Sequence, residues 1–404
     1  MTKLFRTSTV PRSLNNFCKG LLNELSQEGY EVVAVSSPGE ALKELAERER
    51  VRTIEVPMER HISPFKDLKS LWQMWRVMCK EKPDVVHSMT PKAGLVSMIA
   101  AKMAGVPIRI HTFTGLVFPT STGLKRRILM FTDWLTCACA THVIPEGEGV
   151  KADLLNNKIT KKDIRVLGHG NVMGIDLEHF KPLSPTDSTE NTENIKVSAQ
   201  SAKSVGATFT FVFVGRLVGD KGINELVTAF SRLNNEHPAT RLVLVGLEEE
   251  KLDPIKPETA AEIKRNPAIE AVGRQNDVRP FYSDADALVF PSYREGFPNV
   301  VIEAGAMGLP SIVTDINGSR EIIIEGENGT IVPSKDAEAL YQAMKRFVEN
   351  PDEVKRMAAN ARPLIASRYE QSYVRQCLKD FYKECLASSH KQDKQQIQQI
   401  QQTN

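Results

Sequence analysis

Two glutamates, Glu295 and Glu303, bracket the stretch richest in chemistry, Arg294-Glu-Gly-Phe-Pro-Asn-Val-Val-Ile-Glu303. Gly296 lets a ligand approach the backbone closely. Pro298 presets a helical φ, and the free N–H groups of the turn that starts at Asn299 favour a phosphate or a sugar hydroxyl. Carboxylates do not serve phosphate. They accept charge-assisted bonds from hydroxyl groups, so the pair suits a polyol beside an anion. Taken singly, each glutamate also reads as a solvated surface acid, although Ile302, Ala304, Gly305 and Ala306 imply a tightly packed helix around Glu303. A second set is Gly215-Arg-Leu-Val-Gly-Asp-Lys-Gly222. A β-prone run precedes it and a helical pattern follows from Ile223. Arg216 can grip phosphate as a fork and Lys221 as a point charge. The spacing is not that of a P-loop.

The spacing Glu295-x7-Glu303 with Gly-Phe-Pro after the first glutamate resembles the donor motif of retaining glycosyltransferases of family 4. The resemblance covers nearly the whole chain. It implies the GT-B fold: two doubly wound Rossmann-like α/β domains facing a cleft, with a C-terminal helix crossing back to the first. It implies donor contacts from Gly170, Gly215, Arg216, Lys221, Arg274, Glu295, Gly296, Phe297, Pro298, Asn299 and Glu303. Within that set Glu295 and its loop would hold the sugar, Glu303 the ribose, and Arg274 the region of the base. Arg216 and Lys221 would neutralise the leaving diphosphate. Glu295, Arg216 and Lys221 are the expected catalytic residues.

Elements that could position these residues follow from the pattern. At 404 residues the chain exceeds one ordinary core. Tyr30–Val35, 83–87, 106–111 and 141–144 read as strands, with helical patterns at 14–27, 42–49, 68–80 and 93–104 between them. The second half repeats the alternation, with strands at 208–214, 241–246, 269–273, 287–290, 310–314 and 330–332. Such alternation predicts parallel sheets that bind ligands at the carboxyl ends of their strands. The expected division is a first domain at 1–180, resembling the family's acceptor-binding half, then a polar linker at 181–206. A nucleotide-sugar domain follows at 207–368, then a returning helix at 369–387 and a Gln-rich disordered tail at 388–404.

In the first half the candidates are weaker. Ser8-Thr-Val-Pro-Arg-Ser13 follows the first strand, where many relatives carry a glycine pair. Arg12 could contact an anion there, or Ser13 could simply cap a helix. His111-Thr-Phe-Thr-Gly115 ends another strand. Relatives place a histidine directly before that glycine, whereas this chain has Thr114. His111, Thr114 and Gly115 remain acceptor-side candidates, and a structural role for His111 competes. Gly168, Gly170 and Gly174 resemble the family's connection near the donor diphosphate. Gly123–Trp134 joins Lys125, Arg126 and Arg127 to an apolar face, and Phe65–Arg76 is similar. Either is an ordinary packed helix or a contact with an anionic membrane surface.

A net charge of +2 gives a nucleic-acid role no support. No run nears the roughly 20 apolar residues of a spanning helix. The six cysteines lack zinc spacing and read as reduced thiols of a cytoplasmic protein, at most at the inner face of the cell membrane. Asp284-Ala-Asp286 precedes a buried strand and does not suit a metal, so neither metal nor cofactor is expected and cations must meet the leaving charge. The expected activity is transfer of a sugar, with retention, from a nucleotide-sugar donor, UDP by expectation. The acceptor would be a soluble or lipid-linked glycan of a surface polysaccharide. A GT-B nucleotide-sugar epimerase and a non-catalytic nucleotide-sugar or anion-binding protein are the alternatives.

Overall fold

The first sheet is built from strands β1 (Thr2–Thr7), β2 (Tyr30–Ser36), β3 (Arg52–Glu55), β4 (Val85–Met89), β5 (Ile108–Phe113) and β6 (His142–Pro145). All are parallel, in the order β3-β2-β1-β4-β5-β6. The second uses β7 (Phe209–Val214), β8 (Thr240–Val245), β9 (Ile269–Gly273), β10 (Ala287–Phe290), β11 (Ser311–Thr314) and β12 (Gly329–Val332). It too is parallel, ordered β12-β11-β10-β7-β8-β9. The computed structural model describes residues 1–59, 63–182, 208–249 and 253–403, with side chains to 389.

Central strands read as continuous apolar runs because helices cover both faces of each sheet. Phe211, Val212 and Phe213 of β7, and Ala287, Leu288 and Val289 of β10, are completely buried. In each sheet the chain winds out to one edge from the first strand and then returns to build the other. The reversals fall between β1 and β4 and between β7 and β10, which are the ligand-binding points of such sheets.

Two units result, 1–174 with 371–404, and 175–370. The stretch 175–180, assigned to the first domain from sequence, belongs to the second unit. Its Ile175 N–H donates to Tyr369 O at 2.7 Å, and the Arg362 guanidinium bonds the carbonyls of Leu177 (2.8 Å) and Phe180 (2.5 Å). Apart from Lys181 and Pro182, the expected linker lies outside the described residues. The expected tail is instead the end of a helix, Gln371–Thr403. No glycine or proline interrupts it, and Gln and Lys are good helix formers.

Other departures are local. The pattern read as one helix over 14–27 is two, Pro11–Phe17 and Leu21–Gln27, separated where Gly20 takes φ 77°. Pro11 opens the first of these, so Ser13 lies inside it and is not its cap. Strand β3 went unread because it is a four-residue edge strand with polar Arg52, Thr53 and Glu55, too short to show a period.

Candidate active site

The second unit brings the two chemistry-bearing stretches together. Gly222 follows the 3-10 turn Gly219–Lys221 with φ 72°, and a Cβ there would stand 2.1 Å from Pro291 O. Only glycine lets the turn after β7 press against the loop after β10. Tyr293 N–H donates to Asp220 O at 2.8 Å and fixes that approach. As a result Lys221 Nζ bonds Glu295 Oε1, and Ser292 Oγ donates to the same oxygen at 2.8 Å. Lys221 also stands 5.5 Å above the Phe290 ring. The pair keeps only 16% and 18% of its side-chain surface, so its charges are screened less than those of a surface pair.

Helix Asn299–Ala306 opens behind Pro298 and carries Glu303. Its apolar face, with Val301, Ile302, Ala304 and Ala306, is buried, which leaves Glu303 partly buried on the flank. The Tyr282 hydroxyl donates to Glu303 Oε2 at 3.1 Å. Burial pushes the Glu303 carboxyl up to about 7, and the Tyr282 bond pulls the other way. The loop between Glu295 and this helix is held from outside. A Cβ on Gly318, at φ 74°, would lie 2.6 Å from Gly296 O, so the turn after β11 seats directly on the loop backbone. Thr314 Oγ1 also bonds Ser292 O.

The remaining donor-side candidates divide. Gly215, Arg216 and Arg274 line one open pocket at the carboxyl ends of β7, β8 and β9, with Leu247, Glu249 and Gln275. Arg216 Nη1 meets Glu249 Oε2 there at 2.9 Å, about half exposed. Phe297 points inward, buried against Tyr369 with ring centroids 5.5 Å apart, so only its backbone can serve a ligand. Gly170 belongs to the first unit, with its N–H bonded to Leu167 O at 3.1 Å. Sequence reasoning assigned no role to Ser292 or Tyr282, and the Pro291–Ser292 break after β10 was the available signal for the first; the turn 315–321 that holds Gly318 does resemble a family turn near the donor pocket.

Residues 195–363 match the family model described as glycosyl transferases group 1, and residues 14–170 match that of the glycosyl transferase 4-like domain. The capsular polysaccharide biosynthesis glycosyltransferase CapM of Staphylococcus aureus is 31% identical over 388 residues, 96% of this chain and 98% of that protein. The chain belongs to the group 1 glycosyltransferases. The UDP-Gal:alpha-D-GlcNAc-diphosphoundecaprenol alpha-1,3-galactosyltransferase of Escherichia coli is 28% identical, covering 74% of this chain and 76% of its own. Among solved structures, Anabaena HepE in complex with UDP superposes with a TM-score of 0.76 at 18% identity, covering 95% of this chain and all of that one. The likeness shows the GT-B fold. Family membership selects the transferase over the epimerase and the binding protein.

In this glycosyltransferase the first unit treats its polar residues differently. Arg12 is exposed on helix Pro11–Phe17, and Thr114 and Gly115 are half-buried just past β5. His111 is 1% exposed and lies under Gly94, with its Nδ1 2.8 Å from Ser88 Oγ. Burial holds its imidazole down to about 3, and its place in the core favours the structural role over a contact with the acceptor. Beside it lies a network the sequence did not reveal. Arg6 and His87 pair in register across β1 and β4. Arg6 Nη1 donates to His87 Nδ1 and, at 2.8 Å, to Tyr382 OH from the C-terminal helix. A guanidinium only donates, so Nδ1 accepts and His87 Nε2 donates to Thr112 Oγ1 at 2.7 Å.

Proposed function

We propose that this glycosyltransferase moves a hexose from a uridine-diphosphate sugar, with retention of configuration, onto a polyprenyl-diphosphate-linked glycan during synthesis of a cell-surface polysaccharide. The observation that carries the donor reading is the Lys221–Glu295 pair closed by Ser292, with Glu303 one helix away. Cations beside carboxylates suit a diphosphate joined to a polyol at each end. The capsular role of CapM, the diphosphoundecaprenol acceptor of the Escherichia coli transferase and its UDP-Gal donor, and the UDP complex of HepE support the glycan, the lipid diphosphate and the UDP.

In this reading Glu295 orients the sugar hydroxyls while Lys221 and Arg216 meet the charge that develops on the leaving diphosphate. Such preorganised charge is often the largest catalytic term. Arg216 exchanges Glu249 for the donor, a small change for a half-exposed pair. The departing phosphate oxygen takes the acceptor proton on the face it leaves. Because fixed cations supply the compensation, turnover proceeds without a divalent ion. The test is transfer from UDP-sugars to a polyprenyl-diphosphate sugar, with and without EDTA. Product with inverted configuration, or activity abolished by EDTA, contradicts the mechanism.

The acceptor's lipid calls for contact with a membrane surface, and two helices of the first unit support that reading. Helices Pro64–Glu81 and Gly123–Cys139 both pack on helix Pro91–Met103. The first exposes Phe65, Leu68 and Trp72, the second Leu124, Ile128, Phe131 and Trp134, at helical spacing. Phe65 keeps 89% of its surface. Lys125 and Arg127 are exposed beside this face, whereas Arg126 turns inward to Asn157 Oδ1 at 2.8 Å. The basic contact is therefore narrower than the three adjacent cations suggested. No helix among the described residues is long and apolar enough to cross a membrane. Phe131→Ser with Trp72→Ser should lower partition onto anionic vesicles by about tenfold; unchanged partition removes this element.

A further inference from the structure

We infer that Tyr282 is the positioning residue that fixes the Glu303 carboxylate for the two hydroxyls of the donor's ribose. The inference rests on the donor reading above, in which Glu303 is the ribose ligand.

Tyr282 sits on the short helix Arg279–Asp284 that leads into β10, and Glu303 lies on the helix that leaves the loop after β10. One strand thus places both. Tyr282 is completely buried, so its ring cannot drift, and its hydroxyl reaches Glu303 Oε2 at 3.1 Å. Burial and the adjacent carboxylate hold that hydroxyl well into its protonated form, so it is the donor. With Oε2 engaged, Oε1 has no partner among the described residues and is left for ligand hydroxyls. A glutamate has three side-chain torsions, and an untethered one would sample many rotamers before finding a vicinal diol. The tether removes that search and biases the group toward the charged acceptor form.

On the two helices packed against this one, Arg320 pairs with Asp315 and the ionisable groups nearest the site have other partners. Arg362 bonds the carbonyls of Leu177, Phe180 and Ala306, Glu321 accepts from Gly318 N–H at 3.1 Å, and Tyr369 donates to Glu321 O at 3.2 Å. Tyr282 is therefore the group through which the Glu303 carboxylate is set. Its replacement by phenylalanine removes one oxygen from a packed site and leaves the ring volume unchanged.

The experiment titrates the full chain, E303Q and Tyr282→Phe with UDP and with 2′-deoxy-UDP, from about pH 6 to about pH 8. Wild type should prefer UDP, and its affinity should rise with pH through the Glu303 midpoint. E303Q should lose both the preference and the pH dependence. Tyr282→Phe should weaken UDP about threefold to tenfold and move the midpoint upward, with 2′-deoxy-UDP binding and melting temperature close to wild type. If E303Q is impaired while Tyr282→Phe keeps the wild-type affinity and midpoint, the inference about Tyr282 is wrong. If E303Q binds like wild type, or wild type binds no UDP, the donor reading itself fails. Should Tyr282→Phe unfold, 3-fluorotyrosine at 282 keeps the shape and strengthens the donor. It must move the midpoint downward, and an unmoved midpoint overturns the proposal.

Discussion

The two units share a sheet order and differ in where each puts its polar groups. In the second unit Lys221 and Glu295 stand in loops just past the strands, held by Gly222 and Ser292, with part of their surface open. In the first, Arg6, His87 and Thr112 stand on the strands themselves and are buried, with Arg6 and His87 bonded to Tyr382 of the C-terminal helix. An open pair can exchange its partner for a ligand. A buried network ties a helix to a sheet. In the proposed reading, chemistry follows the loop after the strand and not the richness of the polar cluster, as expected for a doubly wound sheet.

The sharpest way to break this contrast is to remove one member from each side. Lys221→Ala should lower the transfer rate at saturating donor by about 10²- to 10³-fold, because a fixed charge is lost where charge develops. Glu295→Ala should fall in the same range, while melting temperatures move little. A variant within a fewfold of wild-type rate would place the catalytic charge elsewhere. Tyr382→Phe should do the opposite. It strips a partner from Arg6 and from His87 and should cost about 1–3 kcal/mol of stability, with kcat nearly unchanged. A kinetic defect without a loss of stability would turn the first network from a clasp into part of the site.

Acid sharpens the comparison further. Burial holds His111 down to about 3, and burial, Arg6 and His111 together hold His87 well below its ordinary value. Both stay neutral in the fold but take up protons in the unfolded chain below about 6.5. Their folded values are depressed, so the unfolded state binds more protons in that window and stability falls as pH drops from about 6.5 toward about 3. Melting curves at neutral and mildly acid pH read this directly, and a melting temperature flat across the window would show the imidazoles to be solvated. In the proposed reading Glu303 responds in the other unit by donor affinity, which should fall as protonation below about 7 removes a hydroxyl acceptor.

Much of the fold was legible. β10 falls where the apolar run placed it, since a strand covered on both faces advertises itself. β3 and the break at Gly20 were not, because an edge strand and a capping glycine carry too little periodic signal. Of the candidate site, Arg216, Lys221 and Glu295 could be placed in loops because each sits beside a glycine, whereas Glu303 was singled out by its spacing from Glu295 and by the small and apolar residues around it. His111 carried two readings because a strand end looks the same in sequence whether the side chain turns outward or under the next helix, and its burial favours the structural one.

The order of residues alone determined that this chain forms two doubly wound units and which glutamates and cations lie at the exits of their strands. That follows from local physics, from hydrophobic period and from turn chemistry. Only the tertiary structure decided that Lys221 meets Glu295, 74 residues apart, and that Tyr282 reaches Glu303. It alone joined Arg6 to Tyr382 across 376 residues. A hydrogen bond acts over about 3 Å, and which distant groups come that close is settled by strand register and helix packing.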